Sequence, residues 1–439
     1  MITDLFGNAD IVKNPVFRKY SEIYADVYRR FAENVASTGI RFSENATDMN
    51  LQQRQQLQDM AVSFRNNGHS VCLNAISPSC VACQKGKNSI TFFISLKCVR
   101  QCYFCFNENQ EEYHYYQNHI RDCRQELEEM HQKKKKLEHI ALTGGEPLLH
   151  KEEAVLFFRQ AKTLYPKAQT RLYTCGELVD QEILQRLADA GLDEIRFSIK
   201  TDDTEQQIAK QLQRIEMAVP YIPRVMVEMP VIPDTLDQMK NILNELERMG
   251  IYGINLLEFC FPFHNVEVFN KKSFKVKQRP YKVLYNYWYA GGLPVDGSEQ
   301  ECLQLLEYST QQNFKMGVHY CSLENKHTGQ VYQQNFGQKV DKFMLFSNKD
   351  YFYKTAKVFG RDIPEVLKVF RKKNYSTYQV NRDHDFLEFH PEKILWLKGL
   401  EVEVAIASHV MEQREDGVYQ REVAIDYTTP QVFNYKTDV

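Results

Sequence analysis

Three cysteines, Cys98, Cys102 and Cys105, stand in a CxxxCxxC spacing. Thiolates are soft ligands for iron-sulfur clusters, and three of them hold a [4Fe-4S] cubane while leaving its fourth iron open to another ligand. Thiols grouped this closely can wrap one cubane, whereas the ligands of a closed structural zinc usually come as two separated pairs. Of eleven cysteines in 439 residues, six (Cys72, Cys80, Cys83, Cys98, Cys102 and Cys105) fall between positions 72 and 105, and the other five are single and widely spaced. In a long chain without a secretory signal, that placement points to metal ligation rather than disulfides.

About 39 residues after Cys105, the apolar run IALT ends in Gly144-Gly145-Glu146-Pro147. The glycines let the backbone approach a ligand, and Glu146 with nearby carbonyls can accept hydrogen bonds from an ammonium group. The cysteine triad, the aromatic Phe104 just before its last member and this GGEP element together resemble the radical S-adenosylmethionine (SAM) superfamily. The resemblance implies that the backbone at Phe104 lies near the adenine and that Gly144, Gly145, Glu146 and Pro147 hold the amino group of SAM. Glu146 then orients SAM and is neither acid nor base. Thr174, in Thr174-Cys175-Gly176, stands where the family often has a Thr-Asn-Gly-like turn; Cys175 departs from that pattern and reads as packing. In the segment RFSIK, Arg196, Ser198 and Lys200 alternate and so share one strand face, which suits contacts to the ribose hydroxyls and methionine carboxylate, with Ser198 the ribose candidate. The implied chemistry is one-electron reduction of the cluster and cleavage of SAM to methionine and a 5'-deoxyadenosyl radical, which abstracts a hydrogen from the substrate. The cofactor carries the difficult step, and the protein positions it.

Cys80 and Cys83 form a CxxC pair in CVACQKGK, Cys72 precedes them by eight residues, and Cys321 lies far downstream in HYCS. This pattern resembles a branch of the superfamily related to the activating enzymes of pyruvate formate-lyase, which has a CxxCxxGxK string before its first barrel strand and a late cysteine. The resemblance implies an auxiliary [4Fe-4S] cluster on Cys72, Cys80, Cys83 and Cys321; a structural zinc and unligated thiols remain alternatives. The segment KCVRQCYFCFNENQEEYHYY resembles, over about 25 residues, radical SAM maturases of ribosomally synthesised peptides, including spliceases that excise a tyrosine-derived fragment. Its implied partners are a precursor peptide, a small separate leader-binding protein and an electron donor such as flavodoxin or ferredoxin. A small-molecule radical enzyme and an activating enzyme for a glycyl-radical protein are competing readings, and a non-enzymatic iron-sulfur protein is the least favoured.

From residue 89 onward, short apolar runs alternate with amphipathic helical patterns, giving about six strand-helix repeats. That alternation predicts an α/β fold, a partial (β/α)6 barrel over 89–265, with the cysteine motif directly after its first strand, and the resemblance implies that it is a radical SAM barrel. Around it, the patterns suggest an N-terminal helical region (1–70), a cysteine-rich segment (71–88), a linker carrying Cys321 (266–339) and a C-terminal α+β extension (340–439). The 55 Lys and Arg nearly balance the 57 Asp and Glu, so no global field favours nucleic acid. No apolar run approaches the ~20 residues that span a bilayer, and the start MITDLFGNADIVKN lacks the pattern of a secretory signal, so a cytoplasmic location is expected.

Overall fold

The computed structural model describes residues 2–5, 9–44, 48–287 and 291–439, and the chain divides into two compact units. The larger unit, Ile40–Pro280 with Tyr287–Gly329, is built on a nine-stranded sheet. Its strands are β1 (Val62–Arg65), β2 (Ser70–Leu73), β3 (Ser89–Phe93), β4 (His139–Thr143), β5 (Gln169–Thr174), β6 (Glu194–Phe197), β7 (Arg224–Val231), β8 (Gly253–Glu258) and β9 (Gly317–Cys321). In space they run β1-β2-β9-β8-β7-β6-β5-β4-β3, and every pair from β9 to β3 is parallel.

Parallel neighbours need long crossovers, and helices supply them. The helix Leu236–Met249 shows why: Met239, Ile242, Leu243 and Leu246 recur at helical spacing and are buried, and Gly250 ends the helix at φ 66°. On β7 the alternate residues Val225, Val227, Met229 and Val231 enter the same apolar core, which leaves Glu228 on the opposite face of the sheet.

The α/β sheet and the α+β extension agree with the sequence expectation, but some boundaries do not. The expected linker 266–339 contains a complete further unit, helix Ser298–Gln311 followed by β9, so the parallel array has a seventh strand. The expected helical region 1–70 ends its second helix at Gln58, and β1 pairs antiparallel with β2 about a turn in which Asn67 and Gly68 have positive φ. Pairing of β2 with β9 overrides the local helical pattern there.

The smaller unit comprises Met1–Gly39, Tyr281–Asn286 and Gln330–Val439. Its antiparallel sheet contains β10 (Tyr353–Phe359), β11 (Tyr378–Asn381), β12 (Phe386–Phe389), β13 (Val404–Arg414) and β14 (Gly417–Thr428). The helix Pro15–Ser37 packs here because Phe17 stacks on Phe359 with ring centroids 4.6 Å apart. Residues 1–39 therefore belong with the C-terminal extension rather than forming an N-terminal region with 40–70. Among the described residues, no helix is long and apolar enough to cross a membrane.

Glu388, His409 and Glu422 converge inside this unit, where Lys357 Nζ lies 2.5 Å from Glu422 and 3.6 Å from Glu388. The ammonium supplies the cation that such a group would otherwise take from a metal. Burial alone would raise the Glu388 carboxyl, but His409, Lys357 and Thr355 outweigh it and hold it down at about 2. A depressed carboxyl stabilises the fold above its unfolded value near 4.5, and that contribution is lost as pH falls from there toward 2. The difference is worth about 3 kcal/mol. Thermal melts of this unit's core should therefore fall steeply below pH 4.5, and Glu388→Gln should flatten that dependence.

Candidate active site

The loops after the carboxyl ends of the parallel strands meet at one edge of the sheet, the usual place for chemistry in such folds. The loop after β3 carries Cys98, Cys102 and Cys105. Their thiols influence one another: burial raises Cys98 and pushes Cys105 up to about 11, and neighbouring thiols add to both shifts. The group is thus three soft donors on one short loop, partly open to solvent. Such a donor set fits a cubane held by three thiolates.

The GGEP turn is clamped to this loop by the backbone. Gly145 N donates to Ser95 O at 3.1 Å and Glu146 N to Lys97 O at 2.8 Å. A Cβ on Gly145 would lie 1.9 Å from Lys97 O, and one on Gly144, at φ 117°, would lie 2.6 Å from Ser95 O. The glycines therefore serve chain-to-chain approach, where the sequence suggested approach to the ligand.

Glu146 is 1% exposed, and its carboxylate accepts hydrogen bonds from Leu148 N (2.9 Å), Thr174 Oγ1 (2.9 Å) and Cys175 N (2.7 Å). It ties the turn after β4 to the turn after β5. Pro147 is buried as the first residue of a short 3-10 turn, Pro147–His150. Thr174 is engaged twice, because its Oγ1 also accepts from Gly176 N at 2.9 Å. The Phe104 ring stands edge-on to Phe259 at 5.5 Å.

Arg196 and Ser198, expected to act together on one strand face, part company. The strand stops at Phe197, and Ser198 is exposed just beyond it. Arg196 is 2% exposed and is held by Glu194 at 2.6 Å, by Glu228 and by Cys80 Sγ at 3.2 Å. Its guanidinium faces the upstream cysteines and is taken up by protein partners, so the expected contact with the methionine carboxylate does not arise from this geometry.

Several residues not singled out for this role in the sequence brace the cysteine loop. Asn107 Nδ2 donates to Gly144 O at 2.7 Å, His264 Nε2 bonds Cys105 O at 2.8 Å, and Asn265 Nδ2 donates to Tyr103 O at 3.0 Å. Arg100 pairs with Glu177 at 2.6 Å and Asp203 at 2.5 Å, and Gln211 Nε2 donates to Cys175 O at 2.8 Å and Ser198 O at 3.0 Å. Asn107 carried a sequence signal in its place two residues after the cysteine motif, and Arg100 in its place inside that motif. Asn107→Ala should weaken SAM binding about tenfold, the worth of one hydrogen bond to a part-buried carbonyl, and equilibrium binding to the reconstituted protein measures it.

A second sulfur-rich group lies against the other face of the sheet from the helix-packed core. Cys80 accepts from Arg196 and, at 3.3 Å, from Asn255 Nδ2; burial would raise it, but Arg196 and His319 bring it to about 6. Burial raises Cys83, with Cys80 adding to the rise, and burial pushes Cys321 up to about 12, with Cys83 and Cys80 adding. Cys72 sits opposite His319 across the β2–β9 pair, feels Cys80, and its thiol donates to Ser63 O at 3.7 Å. A hydrogen-bonded row of Arg196, Glu228, Asn255, His319 and Ser70 runs beneath. Cys83, Cys321 and Cys72 thus all feel the charge of Cys80, and Cys321 also feels that of Cys83.

Residues 92–246 match the family model described as the radical SAM superfamily. The chain carries a radical SAM domain. A Methanocaldococcus jannaschii protein bearing the provisional name of glycyl-radical enzyme activating enzyme is 27% identical over 206 residues, 45% of this chain and 54% of that protein. The chain thus spans about half the length of this relative. Among solved structures, Streptococcus suis SuiB bound to the precursor peptide SuiA is similar at a TM-score of 0.39 and 14% identity, covering 58% of this chain and 53% of that one. Native anSMEcpe with bound AdoMet and the Cp18Cys peptide is similar at a TM-score of 0.31 and 17% identity, covering 40% of this chain and 52% of that one. Within the radical SAM domain fall the cysteine triad, the GGEP turn and Thr174.

Proposed function

We propose that this chain uses Cys98, Cys102 and Cys105 to hold a SAM-binding [4Fe-4S] cluster and modifies a ribosomally made precursor peptide, backbone splicing with loss of a tyrosine-derived fragment being the specific form. When bound, the cluster and SAM supply a 5'-deoxyadenosyl radical that removes a hydrogen from the substrate. The chain's own residues do the positioning. Asn107, Ser95 and Lys97 fix the GGEP turn to the cysteine loop, and Glu146 fixes Thr174 and Cys175. The observation that carries the radical reading is this clamp between two motifs that the sequence separates by 39 residues. Support for the peptide reading comes from the segment KCVRQCYFCFNENQEEYHYY around the triad.

Phe104, Gly144, Gly145, Glu146, Pro147 and Thr174 are the proposed SAM-site residues, with Ser198 at the rim. Cys72, Cys80, Cys83 and Cys321 are the proposed ligands of a second cluster; the mutual influence of three of them favours it. A flavodoxin or ferredoxin would reduce the first cluster, a small separate leader-binding protein would present the peptide, and the setting would be the cytoplasm. A short neighbouring reading frame with a tyrosine-containing core would supply the substrate. Incubation of that peptide with SAM, reductant and the reconstituted protein should change its mass; an unchanged mass would refute the peptide reading. The name of the M. jannaschii relative favours a second reading, activation of a glycyl-radical protein. That reading requires a protein-based radical in a partner, visible by electron paramagnetic resonance.

A further inference from the structure

Two cations lie beside the upstream cysteines, the buried Arg171 and the half-buried Lys326. Arg171 on β5 is 8% exposed, its Nε has no hydrogen-bond partner, and its guanidinium lies 5.0 Å from the Tyr173 ring centroid. Its charge acts on Cys83 and Glu228, lowering both. Lys326, on the helix Leu323–Asn335, is raised by the charges of Cys321, Glu228, Cys260 and Cys83 against the opposing effect of burial. Glu228 is already engaged by Arg196 and Asn255, and among the described residues neither Arg171 nor Lys326 forms an ion pair. The position of Lys326 is fixed on both sides. Asn325 Nδ2 donates to Cys321 Sγ at 3.3 Å, and a Cβ on Gly329 would lie 2.9 Å from Cys83 O, so this helix presses on the CxxC turn.

Burying a cation without counter-charge costs several kcal/mol, so Arg171 calls for an anion at Cys83, and the half-buried Lys326 adds positive charge beside Cys83 and Cys321. A cubane ligated by thiolates is such an anion, and one-electron reduction adds a further negative charge. We infer that Arg171 and Lys326 are positioning residues that supply the counter-charge of the second cluster and raise its reduction potential. The inference rests on the proposed second cluster and adds what sets that cluster's readiness to take an electron. A cation close by stabilises the reduced form more than the oxidised one, so its removal lowers the potential.

The test is a redox titration of the full-length reconstituted protein, followed by electron paramagnetic resonance, with iron counted in parallel. The wild type should hold about eight irons per chain. Lys326→Met should keep the first cluster's signal and its change on adding SAM, while the ratio of reduced to oxidised second cluster at a fixed applied potential falls about tenfold, a shift of about 59 mV for one electron. Lys326→Arg should restore it, and Arg171→Gln should act in the same direction as Lys326→Met. If Lys326→Met instead drops to about four irons while Lys326→Arg keeps about eight, the charge is needed even to hold the cluster, which also supports the inference. Eight irons with an unmoved potential in both charge-removing variants would overturn it alone. About four irons in the wild type would overturn the second cluster and this inference with it.

Discussion

Cys102→Ala should form no 5'-deoxyadenosine above the buffer background, while the protein folds and keeps its second group of sulfur ligands. A cubane held by two protein thiolates loses the arrangement that leaves a single iron open for SAM, so the whole reaction stops rather than slowing. The thiol sits on a loop whose shape is fixed by other atoms, Asn265 on Tyr103 O and His264 on Cys105 O, so the loss is chemical rather than structural. Iron should fall by about four per chain, and the melting temperature of the metal-free protein should match that of the wild type.

Gly145→Ala should come next in size. The added methyl would lie 1.9 Å from Lys97 O and 2.4 Å from Lys97 C, both backbone atoms that cannot rotate away. The turn and the cysteine loop must separate, which breaks the 2.8 Å bond from Glu146 N to Lys97 O. Overpacking of this kind costs about 1–3 kcal/mol, and here it falls on the contact that sets the two motifs against each other. SAM affinity should drop more than tenfold, and iron from the first cluster should be lost more readily to a chelator. Gly399→Ala, where nothing lies within 4 Å of the added carbon, is the matched control and should change neither.

The motifs were legible because their chemistry is local: three thiols in one short loop and a glycine pair at a strand end need no distant partner to be recognised. The alternation after residue 89 was legible because short apolar runs there are separated by helices that each bury one clear face. What escaped the sequence depends on partners far along the chain. Alternation correctly placed Arg196 on a strand face, but what lies opposite is Cys80, 116 positions earlier. The strand β9 is five residues long and entirely buried, so it shows no alternation, and only its pairing with β8 and β2 identifies it. Four-residue strands such as β1 carry too little pattern to outweigh a preceding helical run. Glu146 was recognised by its motif, but its bonds to Thr174 and Cys175 span 28 and 29 positions and could be seen only in the folded chain.

The central claim is that the clamped cysteine loop generates a radical from SAM. Anaerobic reconstitution with iron and sulfide, reduction with dithionite, addition of SAM and mass-spectrometric detection of the products tests it most directly. The account expects 5'-deoxyadenosine and methionine in equal amounts, absent when SAM, reductant or Cys102 is removed. A fully loaded cluster that binds SAM, accepts an electron and still releases no 5'-deoxyadenosine would contradict it.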